Sequence, residues 1–179
     1  MRTRFKIKDG SLAECDQDNA SIVVYSRPDN EEKQQLLEAL GHDSHDLESA
    51  LDPDEISRIE FGPDDAFIIW KRPNNVSFDQ QLRFEESSIG LFLKRDRLTI
   101  IVGDFQSPFD GKQFQKVRSL NGVLLKLFLE TIRHHLNHLK AIKQLTADLQ
   151  VKLNRSMENR YFLQMFNLRW RNLSVWRTK

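Results

Sequence analysis

The chain is poor in the residues and runs that build several classes of protein. One cysteine, Cys15, stands in 179 residues. That excludes an intrachain disulfide framework and a multi-cysteine zinc site, and it suits a reducing cytoplasm. No stretch approaches the roughly 18 uninterrupted apolar residues of a membrane-spanning helix, and the richest, Gly122 to Leu129, is broken by Lys126. The opening residues Met-Arg-Thr-Arg-Phe-Lys-Ile-Lys alternate charge with apolar side chains and lack the apolar block of a signal peptide. A soluble, cytoplasmic chain is expected. The seven glycines sit mostly at turns. Neither phosphate-cradling glycine pattern occurs, and no serine sits in a Gly-x-Ser-x-Gly elbow. Cys15 has no histidine near it in sequence and reads as a small strand residue. No enzymatic activity is expected.

What is present is a globular composition, 39% hydrophobic and 30% charged. The length suits one compact domain, or one domain with an extended element. The net charge of +1 hides a division. Residues 1–118 hold 16 Lys/Arg against 23 Asp/Glu, whereas residues 119–179 hold 11 against 3. The acidic part suits cations or a basic partner; the basic part suits nucleic acid, an anionic membrane surface or the acidic part itself.

Patterning divides the chain in the same place. Phe5 and Ile7 alternate with charges before an Asp9-Gly10 turn, with Leu12 to Cys15 as the returning strand. Ile22 to Tyr25 reads as a buried strand ended by Pro28. Two helices follow. The first is capped by Asp29 or Asn30, carries Leu36, Leu37 and Leu40, and stops at Gly41; the second is capped by Asp43 or Ser44 and carries Leu47, Ala50 and Leu51. Ser57–Phe61 and Ala66–Trp70 form a hairpin, and Ser88–Leu93 and Arg97–Val102 flank a turn. Five or six strands with helices inserted after the third predict a mixed α/β (α+β-like) head over residues 1–118. Residues 104–112 read as a loop.

From Ser119 the period becomes helical. Ile132, Leu136, Leu139, Ile142, Leu145, Leu149, Leu153 and Met157 recur near 3.6 residues, and no glycine or proline occurs from Val123 to Lys179. A helix or helical hairpin to about Leu168 is expected, its apolar stripe covered by its own fold or by other chains. Residues 119–168 are thus a helical segment and 169–179 a divergent tail.

Three features compete as functional sites. Between Asp29 and Asp65 there are 13 carboxylates against the bases Lys33 and Arg58. Magnesium is a hard cation that keeps most of its waters while held by one or two carboxylates, so Asp43, Asp46, Glu48, Asp52, Asp54 and Glu55 can offer it a weak surface. The alternative is a solvated face of acidic helix starts. Asp52-Pro53-Asp54 opens like an EF-hand loop, but Ile56 and Ser57 stand at the next ligand and the required glycine. His42 and His45 flank this tract. His134 and His138 have the i, i+4 spacing that binds zinc, although the metalloprotease pattern would need glutamate where His135 stands; a hydrated helix face or an interface contact is the other reading. Finally, Arg155, Arg160, Arg169, Arg171 and Arg177 interleave with Tyr161, Phe162, Phe166, Trp170 and Trp176. Such a helix can grip nucleic acid, approach a membrane interface, or pack its aromatics on the head.

Three segments in register resemble CorA-type magnesium transporters: Asp46-Leu47-Glu48-Ser49-Ala50-Leu51-Asp52-Pro53-Asp54-Glu55-Ile56-Ser57-Arg58-Ile59-Glu60; Ser88-Ile89-Gly90-Leu91-Phe92-Leu93 with Asp96-Arg97-Leu98-Thr99-Ile100; and Ser156-Met157-Glu158-Asn159-Arg160 with Gln164-Met165-Phe166-Asn167-Leu168. The resemblance covers roughly residues 1–168. It implies a cytosolic α/β head at the membrane's cytoplasmic face, long helices leading towards the bilayer, and assembly as a homopentamer. It also implies regulatory Mg2+ between neighbouring heads, which shifts the population towards a closed state. The family's Gly-Met-Asn pore signature and spanning helices are missing, so these residues are expected to regulate transport rather than conduct ions, and to meet the membrane only through helices that are not here. The resemblance assigns Glu48 to one half of an acidic pair that binds the regulatory ion, with Ser49 in place of the other half. Asp43, Asp46 and Asp52 complete the expected magnesium surface. The rival reading is a free-standing module whose basic aromatic helix binds nucleic acid.

Overall fold

In the computed structural model, residues 1–16, 19–41, 43–74, 86–104, 107–109, 114–156 and 161–167 are described, apart from the side chains of 154–156. The chain forms two compact units, one of residues 1–74 and 85–131, the other of residues 75–84 and 132–179. The first is built on a seven-stranded sheet. Its strands are β1 (Arg2–Lys8), β2 (Ser11–Glu14), β3 (Ile22–Ser26), β4 (Arg58–Phe61), β5 (Asp65–Pro73), β6 (Glu86–Lys94) and β7 (Leu98–Val102). The spatial order is β2-β1-β3-β7-β6-β5-β4. Only the β3–β7 pair is parallel; the other neighbours are antiparallel.

Local chemistry explains the turns and caps. Asp9 and Gly10 both take positive φ, 51° and 76°, which makes the two-residue turn whose twist matches the β1–β2 hairpin. Helix α1 (Asn30–Leu40) starts on Asp29 and ends at Gly41, whose φ of 72° suits a residue without Cβ. Helix α2 (Ser44–Leu51) starts on Asp43 and ends at Asp52.

The two central strands that pair in parallel, β3 and β7, are buried along their whole length, as strands covered on both faces must be. Alternation then sorts the core. On one face Ile22, Val24, Ile68, Leu91, Leu98 and Ile100 pack with Val123, Leu124 and Leu127, which lie in the first turns of helix α3 (Leu120–Ser156). On the other, Val23, Tyr25, Phe67, Ile69, Phe92 and Ile101 pack with Leu36 and Leu40 of α1 and Leu47 and Ala50 of α2. Gly90 sets the approach of α2 to β6: a Cβ there would come within 2.4 Å of the Ala50 Cβ.

The mixed α/β head and the long helix agree with the pattern of the sequence, with two differences. The sheet has seven strands rather than five or six: every segment read as a strand is a member, Leu12 to Cys15 and Ser57–Phe61 included, with β2 and β4 at the edges. Cys15 lies just past β2, where its N–H still donates to the Arg4 carbonyl at 2.9 Å. The described residues of the expected 104–112 loop form neither helix nor strand, and Phe109 anchors them. Its ring meets Phe5 edge-on at 5.1 Å and Phe114 at 4.9 Å. In the second unit, α3 continues to Ser156 and residues 161–167 are helical; Met157, the last member of the apolar stripe, lies outside the described residues.

Candidate functional site

The acidic tract runs over α1, α2, the turn after α2, β4 and the β4–β5 turn. Several of its charges have a local use. The Asp29 carboxylate accepts the Glu32 N–H at 2.8 Å, and the Glu32 carboxylate accepts the Asp29 N–H at 3.3 Å, a reciprocal cap. The Asp43 carboxylate accepts the Asp46 N–H at 3.1 Å. At the far end of α2, the Asp52 N–H donates to the Glu48 carbonyl at 3.0 Å and the Asp52 carboxylate accepts the Asp54 N–H at 2.8 Å. The Ser88 hydroxyl donates to the Asp52 carbonyl at 2.5 Å, tying this end of α2 to β6.

Arg58, at the start of edge strand β4, is the counter-charge of the face. Its guanidinium lies 2.6 Å from Glu60, 2.9 Å from Glu55 and 3.8 Å from Asp46, with Cζ 5.7 Å from the Phe67 ring centroid. The hydrogen bond to Glu60, then the charges of Glu55, Glu60 and Asp46, hold its pKa above the ordinary arginine value against the opposing effect of desolvation. The sequence marked Arg58 as one of two bases in an acidic run. It did not mark it as the point where a helix, a turn and a strand exchange charge.

The four residues expected to meet magnesium therefore fall into two pairs. Asp43 and half-buried Asp46 belong to the first turn of α2; exposed Glu48 and Asp52 belong to its last. Among the described residues, no three Asp, Glu, His or Cys side chains stand close enough together to hold a metal ion. Ser49 is buried at 3% exposure, its hydroxyl without a hydrogen-bond partner. An acidic side chain at that position would be desolvated at high cost, which is a physical reason for a small residue beside Glu48.

The other candidates lie elsewhere. His45 is exposed, and His42 is outside the described residues. His134 and His138 are half-buried on α3, their ring centroids 4.6 Å apart at 75°. Burial, followed by repulsion from His134 and His135, lowers the His138 pKa. Of the basic aromatic set, Tyr161 is half-buried while Phe162 and Phe166 are exposed; the Arg155 side chain and Arg160, Arg169, Trp170, Arg171, Trp176 and Arg177 lie outside the described residues. A cavity of about 330 Å³ opens beside α1, lined among others by Tyr25, Leu36, Lys94 and Thr99. The Lys94 ammonium there is engaged with the last carbonyls of α1, Leu40 at 2.9 Å and Ala39 at 3.3 Å. No helix among the described residues is long and apolar enough to cross a membrane.

No family model matches the chain, and no curated protein matches it. Solved structures do. The chain is similar to the soluble domain of CorA from Methanocaldococcus jannaschii, at 20% identity and a TM-score of 0.69, covering 94% of this chain and 70% of that one. It is similar to the complete CorA magnesium transporter from the same organism, at 18% identity and a TM-score of 0.68, covering 95% of this chain and 56% of that one. A third likeness is to the full-length CmaX protein, at 12% identity and a TM-score of 0.71, covering 97% of this chain and 57% of that one. At these identities the likeness establishes the fold, that of the CorA soluble domain. The chain spans little more than half the length of the two full-length proteins.

Proposed function

We propose that the chain is the cytosolic regulatory part of a CorA-like divalent cation transporter, and that the acidic face around α2 senses cytoplasmic magnesium. The observation that carries this reading is the CorA soluble-domain fold over 94% of the chain, with Asp43, Asp46, Glu48 and Asp52 at the two ends of one short helix. Magnesium would supply a hard, hydrated dication. Glu48 and Asp52 would hold the waters of one ion at the last turn of α2, and Asp43 and Asp46 those of another at its first, while a neighbouring copy of the chain provides further oxygens. Binding between copies favours the assembled state over separated chains, and so couples ion concentration to gating in the intact transporter. Arg58 tunes the face by competing with the ion for Asp46. The activity is regulatory rather than enzymatic, and self-association is part of it.

The test is a magnesium titration of the whole chain, read by melting temperature and sedimentation velocity. Millimolar Mg2+ is expected to raise the melting temperature and the weight-average sedimentation coefficient together, and the double change Glu48→Gln, Asp52→Asn is expected to blunt both. If neither quantity moves with magnesium, the sensing role is lost.

A further inference from the structure

We propose that His134 and His138 form a two-imidazole chelate for a divalent late transition-metal ion such as zinc or nickel. The residues are one helical turn apart on α3 and share a face, and their ring centroids are 4.6 Å apart. The helix that carries them runs unbroken from Leu120 to Ser156, and no glycine or proline occurs in it after Gly122. The backbone therefore fixes the spacing of the two Cβ atoms before any ion arrives. Imidazole nitrogen suits zinc, nickel and copper, whereas the carboxylates of the α2 face suit magnesium. The two sites thus separate by donor chemistry.

Neutral imidazole is the ligating form. His135 follows His134 directly and points about 100° away around the helix, as 3.6 residues per turn requires, so it is not a third ligand. Among the described residues no third Asp, Glu, His or Cys stands close enough to join the pair, so the proposed chelate takes two ligands from this helix. Arg133, Lys140 and Lys143 lie on the same helix, with Glu130 one turn before His134.

The experiment is calorimetric titration of ZnCl2 into the full chain slightly above neutral pH, with millimolar Mg2+ in both solutions so that the acidic face is already occupied. One saturable event per chain is expected, retained in His135→Ala and His45→Ala and lost in His134→Ala and in His138→Ala. In the unaltered chain, zinc is expected to shift the imidazole NMR signals of two of the five histidines; this readout does not depend on any variant folding. Zinc binding that survives both single changes, binding lost equally in His135→Ala, or an isotherm and imidazole spectrum that zinc leaves unchanged would each overturn the assignment. None of these outcomes bears on the magnesium reading, which is tested without zinc.

Discussion

Arg58 connects more of the acidic face than any of its carboxylates, because it answers Asp46, Glu55 and Glu60 at once. Each pair is partly exposed, and such pairs contribute about 0–1 kcal/mol. Arg58→Ala is expected to lower unfolding free energy by about 1–2 kcal/mol through the three pairs together, read as an earlier urea midpoint. The same change frees Asp46 from Arg58, so the rise in melting temperature expected with magnesium should grow. A variant that loses stability without gaining magnesium response would show that the ion and Arg58 do not share Asp46. At the first helix, Asp29→Ala removes a reciprocal cap and should cost about 1 kcal/mol, measured by the same denaturation. These caps and the Asp9-Gly10 turn were legible in the sequence, since each depends on residues within four positions. The Arg58 cluster was only half legible. Its partners Glu55 and Glu60 are sequence neighbours, but Asp46 reaches it from another element.

At the level of elements, Gly90 decides how closely a helix lies on the sheet. A methyl group there would sit 2.4 Å from the Ala50 Cβ, and overpacking of this kind costs about 1–3 kcal/mol. Gly90→Ala should shift the urea midpoint down by that amount, and Ala50→Gly in the same chain should return part of it, because the two positions share one contact. Additive losses in the double variant would mean that α2 and β6 are not in direct apposition. No periodicity announces such a pair: Gly90 reads as one apolar-compatible residue in a strand, and its role appears only when α2 is laid across β6. The edges were legible through their turns: β2 and β4 are four residues each, and the Asp9-Gly10 and Gly62-Pro63-Asp64-Asp65 turns announce them, while the continuous apolar runs of β3 and β7 identified themselves. The pairing of Phe109 with Phe5 and Phe114 was hidden for a further reason, since a proline- and glycine-bearing segment reads as loop whether or not its aromatics turn inward.

For the whole molecule, the charge division and the exposed stripe of α3 lead to different partners, and salt separates them. Leu125, Leu129, Ile132, Leu136 and Leu139 follow one another at intervals of four and three, and each is between 44 and 66% exposed. That is the spacing of a coiled-coil seam, and the proposed self-association would cover it with a second copy. Replacing Leu136 and Leu139 together by lysine puts two charges on the seam while leaving good helix formers in place. Sedimentation velocity should then show a concentration-dependent shift for the unaltered chain and none for the double variant, with the same far-ultraviolet circular dichroism for both. Burial of apolar surface is not weakened by screening, so this association should persist from low to high sodium chloride. Binding of the basic aromatic residues to generic duplex DNA would instead fall steeply over the same range, as bound counterions are no longer released to advantage. Association that survives salt and disappears with the two leucines supports assembly of copies as the role of α3. Monomeric behaviour with salt-sensitive DNA binding would put the nucleic-acid reading in its place.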